Sequence, residues 1–299
     1  MPAPDAQGTF EPRRPLDLRM TFALLGFGPC MRRDEAGVWL ATRTPAGPAT
    51  LRLERSNGTI AASGWGEGAE WAVANAAAIC GDHDDDSGFL PRHPLLARLH
   101  RENPGMRMPR TQSVFEALVP TVIAQQITSE EARESYRHLV NALGEPAPGP
   151  VSLKLSPSPR KLAQTPYWAF HRFGIERRRA DIIIRAARSA GRLEETVSMD
   201  MASAHRRMLA FPGIGPWTAA KVAMVALGDA DAVPVGDYHL PHSIGFMFDG
   251  TPRSTDERML EILEPYRGHR ARVIRLIVAA GIGAPRFGPR KPLRNIRDN

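Results

Sequence analysis

The chain has 299 residues, 42% apolar and 24% charged, a balance that excludes disordered and fibrous classes and, at ~150 residues per domain, fits two domains rather than one small module. Its two cysteines, Cys30 and Cys80, are too few for a disulfide framework, a four-cysteine zinc site or a thiolate-held iron–sulfur cluster, and no apolar run approaches the ~20 residues of a membrane-spanning helix. The formal net charge of +7 falls wholly beyond Arg110, because residues 1–110 hold 13 Arg against 13 acidic residues, and a basic half beside a neutral one fits a polyanionic partner.

The first residues, MPAPDAQGTFEPRRP, lack the basic start and apolar stretch of a secretory signal, so a cytoplasmic protein is the expectation. From Leu16 the apolar residues alternate through Leu18, Met20, Phe22 and Leu24, the period of a strand with one buried face. Val38 and Leu40, Leu51 and Leu53, and then Ile60 continue the pattern, with Asn57-Gly58 as a hairpin turn. Residues Glu67 to Cys80 and Pro94 to Arg101 predict helices. The segment 12–110 therefore predicts an antiparallel α+β domain.

Beyond Thr111 the pattern is helical throughout. Thr111-Gln112-Ser113 opens one helix and Ser129-Glu130-Glu131 another. The stretch Gly144 to Pro159, with five prolines, is a connector. Further helices are predicted over Lys161 to Phe170, Arg177 to Ala190, Ser203 to Ala210, Pro216 to Leu227, His239 to Phe248, Asp256 to Leu263 and His269 to Ala280. This gives an all-α domain over 111–285, followed by a basic tail at 286–299 whose arginines and lysine suit a DNA backbone or a disordered end.

One junction carries chemistry. A helix ending near Ala210 meets Phe211-Pro-Gly-Ile-Gly-Pro-Trp217, and Pro216 suits the first position of the next helix because it has no N–H to leave unpaired. Gly213 and Gly215 can take positive φ and lack a Cβ, so amides at that helix start can approach a phosphate closely. The plainer reading is a tight turn between packed helices. Some twenty residues on, Val233-Pro-Val-Gly-Asp237 leads into another helix.

These residues resemble the helix–hairpin–helix DNA glycosylase superfamily, whose mark is this hairpin followed by a Val-Pro-Val/Gly-Asp segment with an essential aspartate. The closest resemblance is to the 3-methyladenine DNA glycosylase II family of alkylation repair. FEALVPTVIAQQIT at 115–128 resembles that family's helix with a Gly-Gln-Gln motif, here Ala-Gln-Gln, and FGIERRRADIIIRAAR at 173–188 its next helix. The likeness covers about 111–285 well and the α/β segment loosely.

The resemblance implies a monofunctional enzyme that hydrolyses the N-glycosidic bond of alkylated purines, of 3-methyladenine and 7-methylguanine type, in damaged double-stranded DNA. Cleavage builds positive charge on the sugar, and the carboxylate of Asp237 would stabilise it; the plainer role for Asp237 is a helix cap. A target base must be flipped out of the stack and held against aromatic faces, for which Trp217 and Tyr238 are placed, with Lys221 as a further pocket residue. Gly213, Ile214, Gly215 and Thr218 would meet the DNA backbone. Gln125 and Gln126 stand where relatives carry a wedge, although several relatives have an apolar residue at the second position.

The backbone carbonyls of Leu209, Phe211 and Ile214 are implied to hold a monovalent cation when DNA is bound; no other cofactor and no iron–sulfur cluster is implied, and a monomer is expected. Bifunctional relatives place a Schiff-base lysine immediately after the hairpin's final Gly-x, where this chain has Trp217. Two alternatives remain open: a non-catalytic DNA-binding or lesion-sensing hairpin, and a glycosylase with lyase activity using Lys221 as an amine nucleophile. The acidic run Asp82 to Asp86 is read as solvated or capping rather than metal-binding, and His239 with His242 is too small a set for zinc.

Overall fold

The computed structural model describes residues 2–23, 25 and 28–285; the basic tail at 286–299 and Leu24 lie outside them. Five strands form one antiparallel sheet in the order β1-β5-β4-β3-β2: β1 Ala6–Phe10, β2 Met31–Arg33, β3 Gly37–Thr44, β4 Gly47–Ser56 and β5 Thr59–Trp65. Asn57 and Gly58 both take positive φ, the backbone twist that a two-residue hairpin needs, and they set Ser56 opposite Thr59. Val38, Leu40, Leu51 and Leu53 point into the main core. The other sheet face is also covered: Trp39 and Trp65, 5.4 Å apart between ring centres, pack under Leu153 and Leu155 of the proline-rich connector.

Two expectations for this region fail. The alternating run at Leu16 is not a strand; Leu18–Phe22 is a helix, α1, whose start is capped by Asp17 accepting the Met20 amide at 3.0 Å. Leu18, Thr21 and Phe22 are its buried residues, the i, i+3, i+4 spacing of a helical face. The sequence does not predict β2, MRR, or β1, whose AQGTF carries one large apolar residue. The predicted helix from Glu67 to Cys80 is two short ones, α2 (Ala69–Ala74) and α3 (Ala76–Ile79), broken at Asn75, whose side chain donates to the Trp71 carbonyl at 2.9 Å.

The remaining helices, apart from the unpredicted α9 (Ala190–Glu194), follow the sequence closely: α4 (Pro94–Glu102), α5 (Val114–Ile123), α6 (Ser129–Leu143), α7 (Pro159–Gln164), α8 (Arg177–Arg188), α10 (Met201–Leu209), α11 (Pro216–Val222), α12 (Leu240–Asp249), α13 (Asp256–Leu263) and α14 (Arg270–Ala279). The helix read from Lys161 stops at Gln164, and a 3-10 turn, Tyr167–Phe173, follows Pro166. A capping box joins Thr128 and Glu131 at the start of α6, while α5 is capped from a distance by Glu194, which accepts the Val114 and Phe115 amides at 2.9 and 2.8 Å.

Two large apolar clusters result. One joins the sheet to α5, α6, α8 and α11; the other joins α4 to α12, α13 and α14 through Leu96, Ile244, Met259 and Ile277. The chain crosses between them at Ala232, in the first cluster, and Val233, packed on the second. The acidic run at 82–86 is solvated only in part, at His83 and Asp85. Asp84 pairs with both terminal nitrogens of Arg272 on α14 at 2.6 and 2.9 Å, and Asp86 pairs with Arg107 and Arg14.

Candidate active site

The turn after α10 is closed by two backbone bonds, the Phe211 amide to the Met208 carbonyl and the Ile214 amide to the Phe211 carbonyl, both 3.0 Å. Gly213 sits at φ +94°, and a Cβ there would stand 2.4 Å from Cγ1 of Ile182 on α8. Glycine is thus required twice, by conformation and by close approach. Gly215 differs from expectation: its backbone is extended, not of positive φ, and a Cβ on it would meet nothing within 4 Å. Gly213, Gly215 and Pro216 are exposed, while Ile214 and Thr218 are buried. What this hairpin offers a partner is therefore backbone.

Gln125 supports that hairpin from the turn after α5. Its side-chain nitrogen donates to the Gly213 carbonyl at 3.1 Å and to the Thr218 hydroxyl at 2.9 Å, so it bridges elements rather than standing free. Gln126 is exposed and holds the left-handed conformation at φ +60°, which costs a non-glycine residue. Behind the turn, buried Arg179 on α8 donates to the Ile123 carbonyl at 2.8 Å. The Gln125–Gln126 turn and the hairpin are thus both anchored on α8.

Asp237 follows the crossing at 232–233 and faces the start of α11. Its Oδ2 accepts the indole N–H of Trp217 at 2.8 Å; its Oδ1 accepts the amides of His239 and Leu240, at 2.9 and 3.0 Å, at the start of α12. Burial alone would raise its pKa, but the indole, the two amides and the nearby Lys221 ammonium outweigh it and hold the carboxyl below its ordinary value. The carboxylate is ionised at neutral pH and locked in orientation. Lys221, one turn beyond Trp217, places its ammonium 5.9 Å from the Trp217 ring centre; burial lowers its pKa, Asp237 opposes this and Arg275 adds to it.

Tyr238 is 76% exposed, with its ring edge-on to His239. The ring nitrogen Nδ1 of His242 accepts the Ser254 amide at 3.1 Å. Among the described residues no group of three His, Cys, Asp or Glu is placed to hold a metal. Gly236, beside Asp237, is held by its amide donating to Asp256 at 3.0 Å. Asp256 went unread in the sequence, since neither spacing nor residue type marks a contact to so distant a segment.

No protein-family model matches the chain. Over 154 residues, half of this chain and 31% of the relative, it is 36% identical to a probable bifunctional transcriptional activator/DNA repair enzyme AlkA of Mycobacterium tuberculosis. Over 176 residues it is 27% identical to DNA-3-methyladenine glycosylase 2 of Escherichia coli, covering 58% of this chain and 61% of that protein. The chain thus spans less than two thirds of either curated relative. The solved 3-methyladenine DNA-glycosylase of Archaeoglobus fulgidus superposes with a TM-score of 0.78 over 91% of this chain and 97% of that one, at 20% identity. In sequence the chain resembles 3-methyladenine DNA glycosylases II, and its fold is that of the helix–hairpin–helix glycosylases.

Proposed function

We propose that the protein is a DNA glycosylase that hydrolyses the N-glycosidic bond of alkylated purines in duplex DNA, with Asp237 as the catalytic carboxylate. The observation that carries the reading is the clamp on Asp237: an ionised, oriented carboxylate, bonded to the indole of Trp217, on the helix that begins at the exposed glycine hairpin. As the base departs, positive charge grows on the sugar, and a carboxylate that needs no reorientation stabilises that state more than the ground state. The same group can align the attacking water. The relatives' names, both DNA-repair enzymes, support the substrate class.

The hairpin would hold the strand through its exposed backbone, with Gln126 at the surface beside it. The carbonyls of Leu209, Phe211 and Ile214 fit a monovalent cation: all are neutral oxygens, Leu209 is in the last turn of α10, where carbonyls lose their helical donors, and Phe211 accepts a single amide. Such a cation would bridge the turn to a phosphate. With Trp217 in the place immediately after the hairpin, hydrolysis by water, without a covalent lysine intermediate, is the proposed course.

The test is release of free base from duplexes treated with a methylating agent or carrying ethenoadenine. Asp237→Asn should lower single-turnover release by about 10²-fold or more; unchanged release would remove Asp237 from the chemistry. The two amides on Oδ1 favour a second reading, in which Asp237 only caps α12 and the hairpin clamps DNA. That protein would bind duplex DNA in a salt-dependent way and release no base.

A further inference from the structure

Lys221 is a half-buried cation with unspent bonding capacity. An ammonium has three N–H donors, yet among the described residues Lys221 makes no hydrogen bond or ion pair; its contact is the Trp217 ring, 5.9 Å away. The charged groups it feels are Asp237, which attracts it, and Arg275, which repels it. Neither is bonded to it: the Asp237 oxygens accept from Trp217, His239 and Leu240, and Arg275, a donor only, donates to the Thr21 carbonyl at 2.7 Å. These donors are open to water, or to a ligand held against Trp217.

We propose that Lys221 is a specificity-determining residue that selects neutral damaged purines with a hydrogen-bond acceptor on their edge and disfavours purines made cationic by ring-nitrogen alkylation. The inference rests on the glycosylase reading and shifts its substrate class from ring-alkylated purines to neutral ones, hypoxanthine included. A ring-cationic purine gains from an electron-rich indole and from the Asp237 carboxylate bonded to it, but the Lys221 ammonium over the same ring offsets that attraction, and like charge opposes binding. A neutral base such as hypoxanthine or 1,N6-ethenoadenine meets no such repulsion and satisfies the ammonium.

The chemistry favours the same class. When the bond from C1′ to the base nitrogen breaks, its electron pair passes to the base and water adds its hydroxyl to C1′; the remaining proton goes to the base when a neutral purine leaves and to solvent when a cationic one does. A cationic purine leaves as a neutral molecule without assistance. A neutral purine develops negative charge, which an ammonium donor stabilises as it forms.

The experiment compares single-turnover release from duplexes carrying hypoxanthine, 1,N6-ethenoadenine or 7-methylguanine, each expressed relative to the uncatalysed loss of the same base. Wild type should enhance the two neutral lesions more than 7-methylguanine. Lys221→Met should lower the neutral enhancements by about tenfold or more and raise that for 7-methylguanine, while Lys221→Arg keeps the wild-type order; Lys221→Gln replaces the Met variant if that one does not fold. Equal losses on all three duplexes, or an unaltered order, would overturn the assignment and leave the glycosylase reading standing. Wild type releasing no base from any duplex would overturn both.

Discussion

Asp237 accepts three donors on two oxygens, and the balance among them sets where it titrates. Burial raises its pKa; the Trp217 indole, the His239 amide, Lys221 and the Leu240 amide lower it by more. A carboxyl whose folded pKa is depressed keeps its charge until the pH falls through that lowered value. Base release that depends on Asp237 should therefore be flat through neutral pH and fall only below the ordinary Asp value of ~3.9. Trp217→Phe removes the strongest of the lowering contacts and leaves burial in place, so the acid limb should move to higher pH. Single-turnover rates against pH in the two proteins check this; coincident limbs would mean that the indole bond does not govern the carboxylate. The residue types at 217 and 237 were legible in the sequence, but their bond was not, because it joins two elements twenty positions apart.

At the scale of elements, the two hairpin glycines do different work and should respond differently to the same change. Gly213 holds positive φ with Ile182 against it, and Gly215 is extended with open space at its Cβ position. Gly213→Ala should destabilise the fold by about 1–3 kcal/mol from backbone strain alone, more with the clash at Ile182, read by chemical denaturation. Gly215→Ala should leave stability nearly unchanged, since a methyl there meets no protein atom, and on the proposed binding mode it would crowd the phosphate and weaken duplex binding. Equal stability effects would undo this division. The hairpin was legible because turn chemistry is local. The segment at Leu16 was misread because its alternation also places Leu18 and Phe22 four apart, and Asp17 then decides for a helix. Strand β1 was invisible because its pairing with β5 supplies what its own residues do not.

Across the whole molecule, the part carrying Asp237 is positioned from a long way off in sequence. The amides of Ala271 and Arg272 both donate to the Ala230 carbonyl, and Arg270 bonds Asp231 at 2.8 Å, so α14 fixes the segment that leads into Asp237. Helix α14 is in turn held by Arg272 on Asp84, a pair 4% and 1% exposed on its Asp and Arg side chains. No property of the run Asp82 to Asp86 indicates a partner 188 positions away, so the sequence alone reads it as solvated or capping. Removing one member of a buried pair leaves the other charge uncompensated and costs about 3–5 kcal/mol, whereas replacing both with apolar groups costs far less. Arg272→Met should accordingly lower the unfolding free energy by about that amount, and Asp84→Leu with Arg272→Met should restore much of it. Base release by the single variant should fall even at temperatures where it stays folded, because α14 no longer fixes Ala230 and Asp231; full activity there would show that Asp237 is placed by its own loop rather than by α14.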